Sequence, residues 1–212
     1  MTASVLFVRH GENPANLANQ LSCRLVDFSL TDRGRRQAEA LAAHLAAGHE
    51  GPISALFASP LRRAHETAAI IGARLGLETT VLEELRELDC GQLEGRSDEE
   101  AWAIHDEIDR AWVSGVAGAT FPGGEDLPTL LGRFARGLGQ IVRRNPDGRS
   151  VVVGHAGLMR IGLANLFRDG SIELGGPVGN CSIIELELDA DGPELRGRVA
   201  CWARSEHLAD IA

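Results

Sequence analysis

The sequence predicts an α/β protein whose parallel sheet is covered by helices on both faces, and three features of its 212 residues predict it. Val5-Leu6-Phe7-Val8 and Val151-Val152-Val153 are apolar, β-branched runs with no polar alternation, the pattern of strands buried on both sides. Such runs alternate along the chain with amphipathic segments, as βα units do. Leu127, Leu131, Phe134, Leu138 and Ile141 recur at steps of four and three, which marks a helix with one apolar stripe.

In chain order, residues 3–8 form the first strand. A helix follows over 31–47, with Thr31 as cap and Ala38, Leu41, Ala42 and Leu45 on its inner face. Residues 53–58 form the second strand. The next helix runs from about 60 to 75, with Ser59 as N-cap and Pro60 in the first turn, where a missing N–H does no harm. Its inner face is Ala64, Ala68, Ile71 and Leu75. A short strand at 79–82 leads into a glycine-punctuated loop carrying Glu87, Gly91, Glu94 and Gly95, and a helix starts near Ser97. Gly115 to Gly124 is rich in small residues and reads as a surface excursion able to act as a lid. The striped helix covers 126–144, a fourth strand 150–153 and a helix 157–167. Strands at 181–188 and 195–203 close the chain, joined by a hairpin marked by Asp189, Asp191, Gly192 and Pro193. The expected organisation is a single domain over 1–212 with an excursion near 97–125.

Composition narrows the function. Net charge is −9, which disfavours nonspecific binding to nucleic acid or an anionic membrane, since both need a basic surface. No apolar run approaches about 18 residues and no basic leader precedes the first strand, so the expected compartment is the cytoplasm. Cys23, Cys90, Cys181 and Cys201 lack paired spacing, which predicts free packing thiols and neither disulfides nor a zinc knuckle. Oligomeric state is left open, a homodimer included.

Two strands end alike, in Arg9-His10-Gly11-Glu12 and in Gly154-His155-Ala156-Gly157. In open α/β sheets ligands bind beyond the carboxyl ends of the strands, so His10, His155 and Arg63, the last in the first turn after the second strand, should face one crevice. Helix N-termini there would add N–H groups, and the expected ligand is a phosphate. A neutral imidazole can accept a phosphoryl group. Guanidinium forks suit phosphate, which makes Arg9 and Arg63 candidate clamps, and their charge holds His10 neutral. A carboxyl group beside bound phosphate keeps a proton more readily, so Glu87 could protonate the leaving oxygen and then activate water. General acid–base catalysis of this kind is worth roughly 3–5 kcal/mol. Glu83, Glu84 and Asp89 crowd the same segment and compete for the role.

These residues resemble the histidine phosphatase superfamily, in its phosphoglycerate mutase-like branch. Arg9-His10-Gly11-Glu12 with Asn16 resembles the defining motif, although Asn13 stands where Thr or Ser is usual. Leu30-Thr31-Asp32-Arg33-Gly34 with Gln37-Ala38, and Ser59-Pro60-Leu61-Arg62-Arg63-Ala64 with Thr67-Ala68, resemble the next two blocks, the second selecting Arg63 over Arg62. Leu85-Arg86-Glu87 resembles the acid loop, Phe121-Pro122-Gly123-Gly124-Glu125 the block before the long helix, and Gly154-His155-Ala156-Gly157 the second histidine motif. The resemblance implies a three-layer α/β/α sandwich with a mostly parallel mixed sheet and a phosphohistidine on His10, with Glu87 and His155 as further catalytic residues. It also implies phosphate contacts from Arg9, Asn16, Arg63 and His155, substrate contacts from Arg24 and Glu125, and neither metal nor cofactor. The substrate expected is a small phosphorylated molecule, hydrolysed. A phosphoglycerate mutase using the same intermediate is the alternative, and a noncatalytic phosphate-binding module a third. A mutase must hold a second phosphate, and the 115–124 stretch supplies no Lys or Arg for it.

Overall fold

Strand β1 (Thr2–Arg9) sits near the centre of a six-stranded sheet because Val5 to Val8 have no polar side to turn toward water. The computed structural model describes residues 2–48, 51–168, 174–189 and 195–211. The other strands are β2 (Ile53–Ala58), β3 (Thr79–Val81), β4 (Arg149–Gly154), β5 (Ile183–Asp189) and β6 (Arg196–Arg204), in the order β3-β2-β4-β1-β5-β6. Neighbours from β3 to β1 pair in parallel, and β5 pairs antiparallel with both β1 and β6, so the sheet is mixed and mostly parallel.

The helices are α1 (Pro14–Leu17), α2 (Asp32–Ala46), α3 (Arg62–Leu75), α4 (Glu99–Val113), α5 (Leu127–Arg144) and α6 (Ala156–Leu166). Strand side chains alternate between two cores. Leu6, Val8, Val151, Val153, Leu56 and Ala58 pack with Leu41 of α2 and Ile71 of α3. Val5, Phe7, Val152 and Phe57 pack with Trp112 of α4, Phe134 of α5 and Ile161 of α6. Helices therefore cover both faces, the three layers expected. Among the described residues no helix is long and apolar enough to cross a membrane.

Several boundaries differ from the sequence reading. Ser59 does not cap α3, which begins at Arg62 after Leu61; its hydroxyl is engaged by His155 at 2.8 Å. The one-turn helix α1 went unread because it rests on a reciprocal cap, Asn13 and Asn16 each accepting the other's backbone N–H at 3.1 Å, and not on apolar periodicity. Helix α4 starts at Glu99 with Asp98 as cap, and α5 is capped by Asp126. The excursion is exposed over 114–118, yet Phe121 is buried edge-on to Trp112 with centroids 5.0 Å apart. Of the hairpin residues, Asp191, Gly192 and Pro193 lie outside the described residues.

Close backbone packing brings α2 under the histidine loop. A Cβ on Gly34 would lie 2.1 Å from the Glu12 carbonyl oxygen. A helical Gly→Ala change ordinarily stabilises by up to ~1 kcal/mol, but overpacking against fixed backbone costs about 1–3 kcal/mol. Gly34→Ala is therefore expected to lower stability, read as a lower midpoint in denaturant unfolding. A raised midpoint would show that the loop can yield.

Candidate active site

The strand register assembles the site. Arg9 of β1 pairs with Gly154 of β4, and the next backbone N–H, that of His10, donates to the Gly154 carbonyl at 3.0 Å. His10 and His155 therefore leave the sheet side by side, 145 positions apart in sequence, with ring centroids 5.2 Å apart. Strand β2 is aligned to the same edge, Ala58 opposite Val153, which sets Ser59 against the His155 ring.

A cavity of about 200 Å³ opens there, lined by Arg9, His10, Asn13, Asn16, Arg63 and Glu87 among others. His10 is 4% exposed and His155 0%. Nδ1 of His10 lies 2.8 Å from the Gly11 carbonyl oxygen, an acceptor only, so Nδ1 carries the proton and Nε2 presents a lone pair. Arg63 Nε donates to that Nε2 at 3.2 Å. Burial foremost, then the Arg63 and Arg9 charges, hold the His10 pKa well below the usual imidazole value. His155 is pushed down likewise, by burial, Arg63 and His10.

Arg63 is 1% exposed whereas Arg62 faces solvent, as the motif had separated them. Its Nη2 donates to the Ser22 and Cys23 carbonyls at 2.9 and 3.1 Å, and its Nη1 to Asp27 at 3.2 Å. Arg9 Nη1 donates to the Val178 carbonyl at 2.7 Å. Two buried polar atoms of cavity-lining residues, Arg9 Nε and Asn13 Nδ2, have no hydrogen-bond partner, and neither has Nδ1 of His155, whose ring lies beside His10 but does not itself line the cavity. Asn13, passed over in the sequence as a departure from a pattern, thus offers an amide beside His10. Its only sequence signal was that departure.

Of the four clustered acids, Glu87 is the one that lines the cavity. Glu83 pairs outward with Arg86 at 2.6 Å, and Asp89 accepts from the Gly91 N–H at 2.9 Å. The Glu87 carboxylate accepts N–H bonds from Leu88, Gly157 and Leu158 at 2.9, 3.1 and 2.7 Å. The anion position expected at the N-terminus of α6 is therefore occupied by the protein's own carboxylate. Asp27 does the same at α3, accepting from the Arg62 N–H at 2.7 Å.

Arg24 and Glu125, expected to touch substrate, do not line the cavity. They belong to a strut behind Glu87. Arg133 of α5 is 8% exposed and forks onto Glu125 at 2.7 and 3.0 Å, and it also donates to the carbonyls of Glu84, Arg86 and Glu87. Arg24 donates to the Glu87 carbonyl at 3.1 Å and to Glu125 at 3.1 Å. Sequence reading missed Arg133; the available signal was a charge one turn after Leu130, on the inner face of α5. His105 and Asp109 of α4 also line the cavity, with Trp102 and Arg160.

Cys23 and Cys90, far apart in sequence, meet beside Glu94, their ligating atoms within 4.8 Å of one another. The Glu94 carboxylate there accepts the backbone N–H groups of Cys23, Arg24 and Val26 at 2.8, 2.9 and 3.0 Å, and so ties the loop carrying the Arg63 contacts to the acid loop.

The two imidazoles make stability depend on pH. An ordinary histidine protonates near 6.5, whereas these stay neutral in the fold, so below that pH the unfolded chain binds more protons. Stability should fall as pH drops from about 6.5, by up to ~1.4 kcal/mol per pH unit for each buried histidine, with half-buried His207 adding in the same direction. Denaturant unfolding between neutral and mildly acidic pH should show a steeper decline than in His155→Gln. Equal slopes would mean that the imidazole gains its charge inside the fold.

The sequence profile of the histidine phosphatase superfamily (branch 1) matches residues 5–200. "Phosphoglycerate mutase-like protein 4" of Arabidopsis thaliana is 38% identical over 160 residues, 74% of this chain and 68% of that one. "Phosphoserine phosphatase 1" of Hydrogenobacter thermophilus is 31% identical over 156 residues, 74% of this chain and 72% of that one. Among solved structures, a mycobacterial glucosyl-3-phosphoglycerate phosphatase superposes with a TM-score of 0.78 at 26% identity, covering 97% of this chain and 100% of its own. "Mycobacterial hydrolase 1" superposes at 0.80 with the same identity and coverage. With the profile spanning nearly every element from β1 to β6, the chain belongs to the histidine phosphatase superfamily, branch 1.

Proposed function

We propose that this phosphatase hydrolyses phosphate monoesters of small molecules through a phosphohistidine on His10. The observation that carries the reading is three unpartnered buried polar atoms, Arg9 Nε and Asn13 Nδ2 of the cavity lining and Nδ1 of the His155 ring beside His10, next to an unprotonated His10 Nε2 that accepts only from Arg63. A buried donor without an acceptor costs about 1–3 kcal/mol, and a phosphoryl group brings the acceptors that relieve it.

In the first step the Nε2 lone pair attacks phosphorus and the bond to the ester oxygen breaks. Glu87, reaching the cavity from the acid loop, gives that oxygen a proton when it carries one. Arg9, Arg63 and Asn16 hold the non-bridging oxygens. His155, with its Nε2 accepting the Ser59 hydroxyl proton, donates Nδ1–H to a third oxygen. In the second step Glu87, now a carboxylate, takes a proton from water as the water attacks phosphorus, and His10 departs neutral. The depressed pKa of His10 suits both the attack and the departure.

The small-molecule reading is supported by the cavity's size and by relatives named for phosphoserine and glucosyl-3-phosphoglycerate. The net charge of −9 supports a substrate other than nucleic acid. The mutase alternative has the support of a relative named phosphoglycerate mutase-like, but the cations lining the cavity among the described residues are Arg9, Arg63 and Arg160, and Arg160 is closed onto Asp109, which favours hydrolysis over holding a second phosphate.

Brief reaction with a labelled phosphate monoester should leave an acid-labile, base-stable label on the protein, absent from His10→Ala, which should also be inactive. Glu87→Gln should form the label slowly, with turnover reduced roughly 10²- to 10⁴-fold. A fully active His10→Ala enzyme would rule the mechanism out.

A further inference from the structure

Away from His10 the cavity wall changes character. Trp102, His105 and Asp109 follow one another at steps of three and four on one face of α4, and Arg160 meets them from the second turn of α6. Asp109 is 5% exposed and closed onto Arg160 in a two-pronged pair, at 3.3 and 3.0 Å. Arg160 Nε also donates to the Gly175 carbonyl at 3.0 Å. Trp102, Arg9, Asn16 and Gln20 also line an adjoining hollow of about 300 Å³, together with Asn19 and Asn180. Four of those six side chains are carboxamides. Gln20 commits its amino group to the Gly95 carbonyl at 2.8 Å, and Asn180 its amino group to His10 and Asn16. Their oxygens remain for a ligand.

We propose that this wall binds the non-phosphate part of the substrate and that this part is a neutral polyhydroxylated skeleton, a sugar or polyol. The proposal rests on the phosphomonoesterase reading. A hydroxyl both donates and accepts, and so do a carboxamide and a closed carboxylate–guanidinium pair. A second phosphate or a carboxylate would be desolvated against Asp109 while the Arg160 charge is already balanced, and an ammonium would meet Arg160 under the same condition. Uncompensated charge on the substrate therefore belongs at the His10 end, and hydroxyl groups fit the remainder. Trp102, shared by both hollows, supplies an indole surface for the carbon skeleton.

The test compares kcat/KM of the purified chain for hexose, pentose and glycerol monophosphates with those for phosphoserine, phosphoglycerate and a hexose bisphosphate, with p-nitrophenyl phosphate as reference. The hydroxylated monophosphates should lead by roughly tenfold or more. The double variant Asp109→Asn with Arg160→Gln, and separately Trp102→Ala, should lower kcat/KM for them at least roughly tenfold further than for p-nitrophenyl phosphate. Trp102→Ala, at a half-buried position, carries the test if the double variant does not fold. A preference for phosphoserine, phosphoglycerate or bisphosphate, or equal losses on every substrate, overturns the proposal while leaving the hydrolase reading intact. A wild-type protein that neither takes label on His10 nor hydrolyses any ester sinks the hydrolase reading instead.

Discussion

One register pairing organises this molecule: Arg9 opposite Gly154. Because β1 and β4 are parallel neighbours that end at the same level, the residue after each strand emerges at the same rim, and both residues are histidines. A slip of one position would send one ring to the opposite face of the sheet. What prevents the slip is burial on both sides, since every residue from Val5 to Val8 and from Val151 to Val153 is packed into one of two cores. The site is thus specified by the hydrophobic core beneath it.

Electrostatics at the rim follow from that burial. Two imidazoles removed from water beside two guanidinium groups remain neutral, which is the form a nucleophile needs. The protein supplies its own anions where substrate anions are otherwise expected: Glu87 on the N-terminus of α6 and Asp27 on that of α3. Glu87 is in turn held through its carbonyl by Arg133 and Arg24, and Glu125 fixes both of these. A buried pair such as Arg133–Glu125 is weak evidence of stabilisation in itself, because desolvation offsets attraction. Its geometry points to placement of the acid loop.

The legible elements were those written in local pattern. The stripe from Leu127 to Ile141 gave α5 to within a residue at its start and end, and Thr31 capped α2 as its chemistry required. Ser59 looked like an equally good cap and was not one, because His155, the residue after β4, engages its hydroxyl. Helix α1 has too few turns to show periodicity. In α4, His105 and Asp109 sit among exposed acids of the same helix, and only the packing of α4 toward α6 turns that face inward.

By itself the sequence determined the strands, their two-sided burial, the α/β class, and the residue types gathered at strand ends, His10, Arg63 and His155 among them, since each of these is encoded in neighbouring residues and in spacing. The tertiary structure decided which of four clustered acids reaches the cavity, that Arg24 and Glu125 brace a loop and do not line the cavity, and that Cys23 joins Cys90. Those outcomes depend on distances between segments remote in the chain. No local propensity carries such distances; they arise when strand register and helix packing close the fold.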